Sequence, residues 1–444
     1  MLKTLREAFA QKDLRRKILM TLGLMLLYCV GCFLPIPGID PSVFSDAVSA
    51  DVNKYGSSTF LSLLSSLTGG ALSKGAWFAI GVSPYITSSI VVQLLSVAIP
   101  SLQRLSKQGS EGRKKIAIIT RYVALVLALF QAIAIVFQID IVKSETLLWN
   151  VPDFVVKILV VVSLIAGTML TVWIGDKITE IGVANGMSML VFVGILTSGV
   201  TAFTNSIVKI FTEGIDAIVT PIIFILLLVF IFAFIVMFDL AERRIPVTYA
   251  KQVKGNKMYG GQSTNIPIKL NATGVMPIIF ATALVNFPQL IMQMLLSFNN
   301  TGVENAYVWY QTYMGTGTWI NIVVTALLIL GFSYFYATMM FNPEEVALQI
   351  QRNGGFILGY RPGKPTADYL KKVSHRITFF GAVFLMLVSM VPSLLFTNIS
   401  VLDGDALTTA FTSIGMLVLV SVALEFDKSI QNQMLMKQYK GFLK

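Results

Sequence analysis

Ten apolar stretches run through this chain, and none carries an Asp, Glu, Lys, Arg or His in its interior. They lie near 18–34, 76–99, 117–138, 155–174, 187–205, 217–238, 275–297, 318–341, 377–397 and 407–424; Arg121 and Lys157, which come nearest to breaking the rule, sit within about a turn of an end. A hydrocarbon core of roughly 30 Å takes about 20 apolar residues as α-helix. The expected fold is therefore an all-α polytopic membrane protein with ten transmembrane helices. Charged residues make up only 13% of the 444, too few to cover a soluble protein of this size. The first stretch ends at Leu34-Pro35-Ile36-Pro37-Gly38, without a small-residue cleavage pattern, and reads as a span rather than a signal peptide.

The charges left out of the spans are sorted. Taking alternate loops together, 29 of the 34 Lys and Arg fall on one side of the membrane. The other side holds Lys54, Lys74, Lys143, Lys157 and Lys209. By the positive-inside rule both termini are expected in the cytoplasm. The net charge of +11 has two readings at this point. It is the same topology signal with contact to anionic lipid, or it also serves an acidic cytoplasmic partner.

Residues 1–17 read as an amphipathic helix on the cytoplasmic leaflet. Five spans fall in an N-terminal half, 18–211, and five in a C-terminal half, 212–424, before a cytoplasmic tail, 425–444. Five is odd, so the halves run in opposite directions, which permits an inverted repeat with the working site between them. In the first external segment, residues 60–67 are apolar but too short to cross. They fit either a re-entrant helix or an ordinary loop helix. Two long cytoplasmic connections, about 239–272 and 342–376, mix β-branched or aromatic residues with turn formers. They suggest projecting hairpins or short helices.

Catalytic chemistry is missing. The chain has no G-x-x-x-x-G-K-[ST] and no H-E-x-x-H. His375, the only histidine, lies in a basic loop beside Arg376. Cys29 and Cys32 form a C-x-x-C inside the first span and read as structural filler. Gly182-Val183-Ala184-Asn185-Gly186 reads as a tight turn between the fourth and fifth spans. No metal, cofactor or enzymatic activity is expected. Uncharged polar residues remain: Ser83, Tyr85, Thr87, Ser88, Ser89 and Gln93 in the second span, Asn286 and Gln289 with Pro288 in the seventh. Such groups hold helices together by about 0.6–2 kcal/mol each. They are either ordinary packing contacts or a seam weak enough to part.

An ordered set of short motifs runs along this frame. It includes Ile36-Pro37-Gly38-Ile39-Asp40, Gly69-Gly70-Ala71-Leu72-Ser73, Pro84-Tyr85-Ile86 and Ala184-Asn185-Gly186-Met187-Ser188. Further on come Glu242-Arg243-Arg244-Ile245-Pro246-Val247, Asn271-Ala272-Thr273-Gly274, Asn342-Pro343-Glu344-Glu345 and Arg361-Pro362-Gly363. In these the chain resembles the SecY family, the channel subunits of the bacterial protein-translocation complex. It departs from the family pattern at Cys29, at Leu358 before Gly359, and at Ser413-Ile414-Gly415.

The resemblance implies two inverted five-helix halves around a central pore in the bacterial cytoplasmic membrane. The pore passes unfolded polypeptide and releases apolar segments laterally. It implies a constriction ring of Val82, Ile86, Val191, Ile195, Ile279 and Val418. A plug is implied at about 57–72, with Phe60, Leu61, Leu64, Leu67, Gly69 and Gly70. The lateral gate would use Ser89, Gln93, Thr282 and Asn286 on the second and seventh spans, beside the third and eighth. Docking would use Arg243, Arg244, Lys254, Arg361, Lys364 and Tyr369. Of these Arg361 is the foremost, because a guanidinium on a stiff Gly/Pro tip suits bidentate contact. Implied partners are SecE-like and SecG-like small membrane subunits, a SecA-like ATPase motor, the ribosome, a polypeptide with its signal sequence, and anionic lipids. A secondary transporter of a small solute is the rival reading. The neutral spans argue against it, since ion-driven carriers usually need intramembrane carboxylates.

Overall fold

Each apolar stretch meets a helix. The structure, a computed structural model, describes residues 2–37, 40–46, 48, 60–138, 152–181, 185–213, 219–249, 252–254, 257–259, 263–271, 274, 276–296, 301–315, 318–398 and 413–442. The first part of the chain forms α1 (Leu2–Ala10), α2 (Lys12–Gly31), α3 (Phe60–Leu67), α4 (Ser83–Ala98), α5 (Pro100–Lys107), α6 (Gly109–Gln138), α7 (Asp153–Ile181), α8 (Gly186–Glu213) and α9 (Val219–Leu240). Four strands follow, β1 (Glu242–Tyr249), β2 (Gln252–Lys254), β3 (Lys257–Tyr259) and β4 (Ser263–Lys269). Then come α10 (Met276–Leu296), α11 (Thr301–Met314), α12 (Trp319–Met340), α13 (Pro343–Arg352), β5 (Gly355–Phe356), α14 (Lys364–Asn398) and α15 (Ser413–Phe442). The ten stretches correspond to α2, α4, α6, α7, α8, α9, α10, α12, α14 and α15. Among the described residues six helices are long and apolar enough to cross a bilayer by themselves, those within α6, α7, α8, α9, α12 and α14. The helix α9 is apolar all round and leaves Leu226 and Phe230 more than 60% exposed, as a lipid-facing surface requires.

Three boundaries differ from the sequence reading. Residues 1–17 are not one amphipathic helix. The chain breaks at Gln11, and Lys12 to Lys17 form the start of α2. Ala8, Leu14 and Ile18 are buried against Ile430 and Met434, so this end packs on α15 rather than lying alone. The segment beyond 424 is no separate tail, because α15 continues through it to Phe442; the residues of the tenth stretch before 413 lie outside the described residues. The second stretch is helical only from Ser83. Gly75 and Gly81 take left-handed backbone (φ +56° and +60°), which interrupts a helix, and Pro84 sits in the first turn of α4. The turns before it are buried, and their backbone is paired: Ile36 N–H donates to Gly75 O (2.9 Å) and Trp77 N–H to Leu34 O (3.0 Å). Irregular backbone at membrane depth survives only in such protein surroundings.

The two long connections are not separate fingers. β1 pairs antiparallel with β4, with Ile245 opposite Ile266, and its other edge takes β5, with Thr248 opposite Phe356. Ile245, Val247 and Ile268 share one apolar core with Ile350 of α13 and Leu370 and Val373 of α14. The two connections thus share one module, and α14 carries it directly into the ninth span.

Between the halves, α15 touches α8, while α10 touches α4 and α6. Counted along each half, fifth meets tenth and second meets seventh. In these two pairs a helix meets its own counterpart, as two halves related by an inverted repeat would.

Candidate functional site

One apolar cluster lies where the halves meet. All six residues implied as a ring belong to it. Val82 is the N-cap of α4 and Ile86 follows one turn on; Val191 and Ile195 lie one turn apart on α8; Ile279 comes from α10 and Val418 from α15. A spacing of four puts each pair on one helix face. Val82, Ile195 and Val418 are at most 4% exposed, and Ile86, Val191 and Ile279 are half-buried. The cluster is wider than these six and includes Tyr28, Phe78 and Ile174, so it also packs the first half together.

Against this cluster lies the C-terminal end of α3. Leu67 packs into it, and Leu64 is buried in the neighbouring cluster of the first half. The helix ends in a two-glycine cap: Gly70 N–H donates to Ser65 O (2.7 Å) and Gly69 N–H to Ser66 O (3.4 Å), with both glycines left-handed. That is the pattern which satisfies the last carbonyls of a helix and turns the chain away. Its seat is α8. Ser198 Oγ donates to Ser66 O (2.7 Å), a buried bond between residues 132 apart in sequence. A Cβ at Gly194 would come within 2.2 Å of Leu67 O, so only glycine lets the two backbones approach. The side chains of Phe60 and Leu61, and residues 57–59, lie outside the described residues.

A second cluster runs along the junction of α4, α10 and α12. It comprises Ile90, Phe280 and Tyr336, with Ile86, Ile279, Phe332 and Phe335 packed around them. Tyr336 Oη donates to Gln93 Oε1 (2.6 Å), and Gln93 Nε2 donates to Ser89 Oγ (3.2 Å). Phe280 stacks on Tyr336 with centroids 4.8 Å apart. The structure thus brings Ser89 and Gln93 to the junction. Thr282 instead bonds its own helix, at Ile278 O (2.9 Å), and the side chain of Asn286 lies outside the described residues. The sequence reading missed Tyr336 and Phe280. A phenol in a span was the available signal, since its hydroxyl needs a partner when buried. Ile86 and Ile279 belong to both clusters.

The module built from the two long connections carries the remaining candidates. Arg243 and Arg244 are exposed on β1, but neighbouring strand residues point to opposite faces, so one partner surface does not receive both alike. Arg244 Nε is also paired with Glu242 Oε1 (2.8 Å). Lys254 lies on β2, its side chain outside the described residues, and Lys364 is exposed at the start of α14. Arg361 is exposed at a cavity of about 660 Å³ shared with Phe356, Gly359, Tyr360 and Pro362. Tyr360 stacks on Tyr369 (4.1 Å), and Thr366 Oγ1 donates to Arg361 O (2.7 Å), which together stiffen this tip. At the root of the module Asp239 accepts from Asn271 Nδ2 (3.0 Å) and lies 3.9 Å from Lys428 Nζ on α15. Burial there pushes the Glu425 carboxyl above its usual range, against the pull of Lys269.

With this geometry in hand, comparison with known proteins is decisive. The family named SecY matches residues 76–426. The chain belongs to the SecY family. It is 38% identical to the protein translocase subunit SecY of Corynebacterium glutamicum over 451 residues, covering 99% of each chain. It is 35% identical to that of Thermotoga maritima over 444 residues, covering 100% of this chain and 98% of the relative. Among solved structures it is similar to one described as a protein conducting channel, with TM-score 0.64 and 15% identity over 94% of this chain and 92% of the other. Sec61 of a canine ribosome–channel complex gives 0.60 and 14% over the same shares. At these identities the structures speak for the SecY fold, and the family makes the chain a multi-pass membrane protein.

Proposed function

We infer that this chain is the pore subunit of a protein-conducting channel, which passes unfolded polypeptide across the bacterial cytoplasmic membrane and releases apolar segments sideways into lipid. The observation that carries this reading is the convergence of Val82, Ile86, Val191, Ile195, Ile279 and Val418 in one charge-free cluster between the halves. Branched apolar side chains exclude water and ions when they meet, yet yield around a threaded chain. A charged constriction would hold some passing segments and refuse others. In this reading α3 is the plug, seated on α8 under the cluster, and the α4–α10–α12 junction is the lateral gate. The β1–β4–β5 module, with Arg361 at its tip, receives a SecA-like motor or the ribosome on the cytoplasmic side, where both termini also lie. SecE-like and SecG-like subunits and anionic lipid complete the assembly. The chain itself performs no catalytic step, so energy for transport comes from those partners.

The test is cross-linking. Ile86→Cys and Ile279→Cys, each in a chain with Cys29→Ser and Cys32→Ser, are expected to cross-link to a secretory polypeptide stalled in transit. Labelling only from lipid-facing control positions such as Leu226→Cys would reject the pore assignment.

A further inference from the structure

The sequence reading assigned nothing to the segment between the seventh and eighth spans. It folds as α11, packed against α10 and α12 at the end of the bundle opposite the β1–β4 hairpin. The helix has two unlike faces. One is buried: Tyr307 is 1% and Tyr310 5% exposed. The other shows Val308, Trp309 and Tyr313 at 44%, 59% and 48%, with the Trp309 and Tyr313 rings 5.4 Å apart. A few residues on in the chain, Trp319, Ile320, Val323 and Leu327 form the exposed stripe of α12, a helix long and apolar enough to span. Indole and phenol rings combine an apolar body with one polar group and collect at headgroup depth. Residues 301–317 contain no Lys or Arg, so lipid charge plays no part in the attraction.

A hydrogen bond joins the buried face to α10. Tyr310 Oη donates to the carbonyl oxygen of Val285 (2.6 Å). Pro288 stands inside α10 three residues on. It lacks the N–H that would pair with Leu284 O, and its ring crowds that turn. The phenol thus supports the helix where its own ladder is weakest.

We propose that α11 lies in the membrane–water interface, with Trp309 and Tyr313 among the lipid headgroups, and that it fixes the seventh span through Tyr310. The partner is the lipid surface itself, and α11 sets the stance of the helix that carries Ile279 and Phe280. The proposal rests on α10 and α12 crossing the membrane, not on what passes through the pore.

The natural full-length chain and its Trp309→Phe variant are reconstituted with their partner subunits in phosphatidylcholine vesicles brominated at different acyl depths. The difference in fluorescence isolates Trp309. Bromines nearest the headgroup should quench it about twofold more than mid-bilayer bromines, as for an interfacial tryptophan. No quenching at any depth, or strongest quenching at the midplane, overturns the interfacial position. In a second measurement Tyr310→Phe, which removes one oxygen, should speed hydrogen exchange of amides 284–287 and 289 about fivefold, the factor of one ordinary hydrogen bond, with Trp309 quenching unchanged. Unchanged exchange overturns the tether. Normal secretory cross-linking at Ile86→Cys alongside either failure would leave the pore reading standing and reject α11 alone.

Discussion

Tyr336 and Gln93 are 243 positions apart in sequence and 2.6 Å apart in space, and their side-chain bond crosses the α4–α12 junction. A net hydrogen bond contributes about 1 kcal/mol, and an acceptor left buried without its donor costs about 1–3 kcal/mol. Tyr336→Phe keeps the ring stacked on Phe280 and strands the Gln93 oxygen. It should shift the closed-to-open ratio of the gate roughly fivefold or more toward open. Single-channel recording of open probability in planar bilayers measures this, and an unchanged probability would show that the bond does not latch the gate. Gln93 was legible in the sequence because an amide in an apolar span must pair with something. Its partner was not, because a tyrosine reads as apolar bulk until the helices have neighbours. The six aliphatic residues are harder still. In spans made of Val, Ile and Leu nothing in composition marks Val418 or Ile195, and only the family resemblance singled them out.

At the level of elements, glycines decide what touches what. Gly194 lets α8 meet the backbone of Leu67, and Gly381 of α14 faces Leu270 O, where a Cβ would come within 2.3 Å. Gly194→Ala should therefore unseat α3, and resting ion conductance should rise. Ser198→Ala removes a single bond and should give a smaller rise in the same planar-bilayer assay. If both variants assemble and stay as tight as the natural chain, α8 is not the seat. The sequence told the helical spans from the rest because a run of about 20 apolar residues is a strong signal. It misread residues 76–82 because apolar turns buried in protein have the composition of a span. Their glycines and Pro84 were the readable hint. Strand β5 left no such hint, since two residues carry no period.

For the whole molecule, the β1–β5 pairing makes the two long connections one body. Thr248→Cys with Phe356→Cys, oxidised to a disulfide, should leave motor-driven secretion unchanged, because these residues already face each other. Loss of secretion on oxidation, restored by reductant, would mean that the connections must separate during transport. Arg361→Glu should stall motor-driven secretion while the complex stays assembled, and normal secretion in reconstituted vesicles would remove Arg361 from docking. The count of spans was legible at this scale, because hydropathy is carried residue by residue. The shared sheet was not, because it joins segments about a hundred positions apart. One further consequence follows from Ile86 and Ile279, which pack in both the constriction and the junction. On the proposed assignment of these two clusters, the side door and the gasket share parts. An apolar segment that wedges the door ajar also withdraws two staves from the gasket, so recognising cargo and unsealing the bore are a single movement. A departing segment must then be followed at once by more chain, with the cargo itself serving as the stopper.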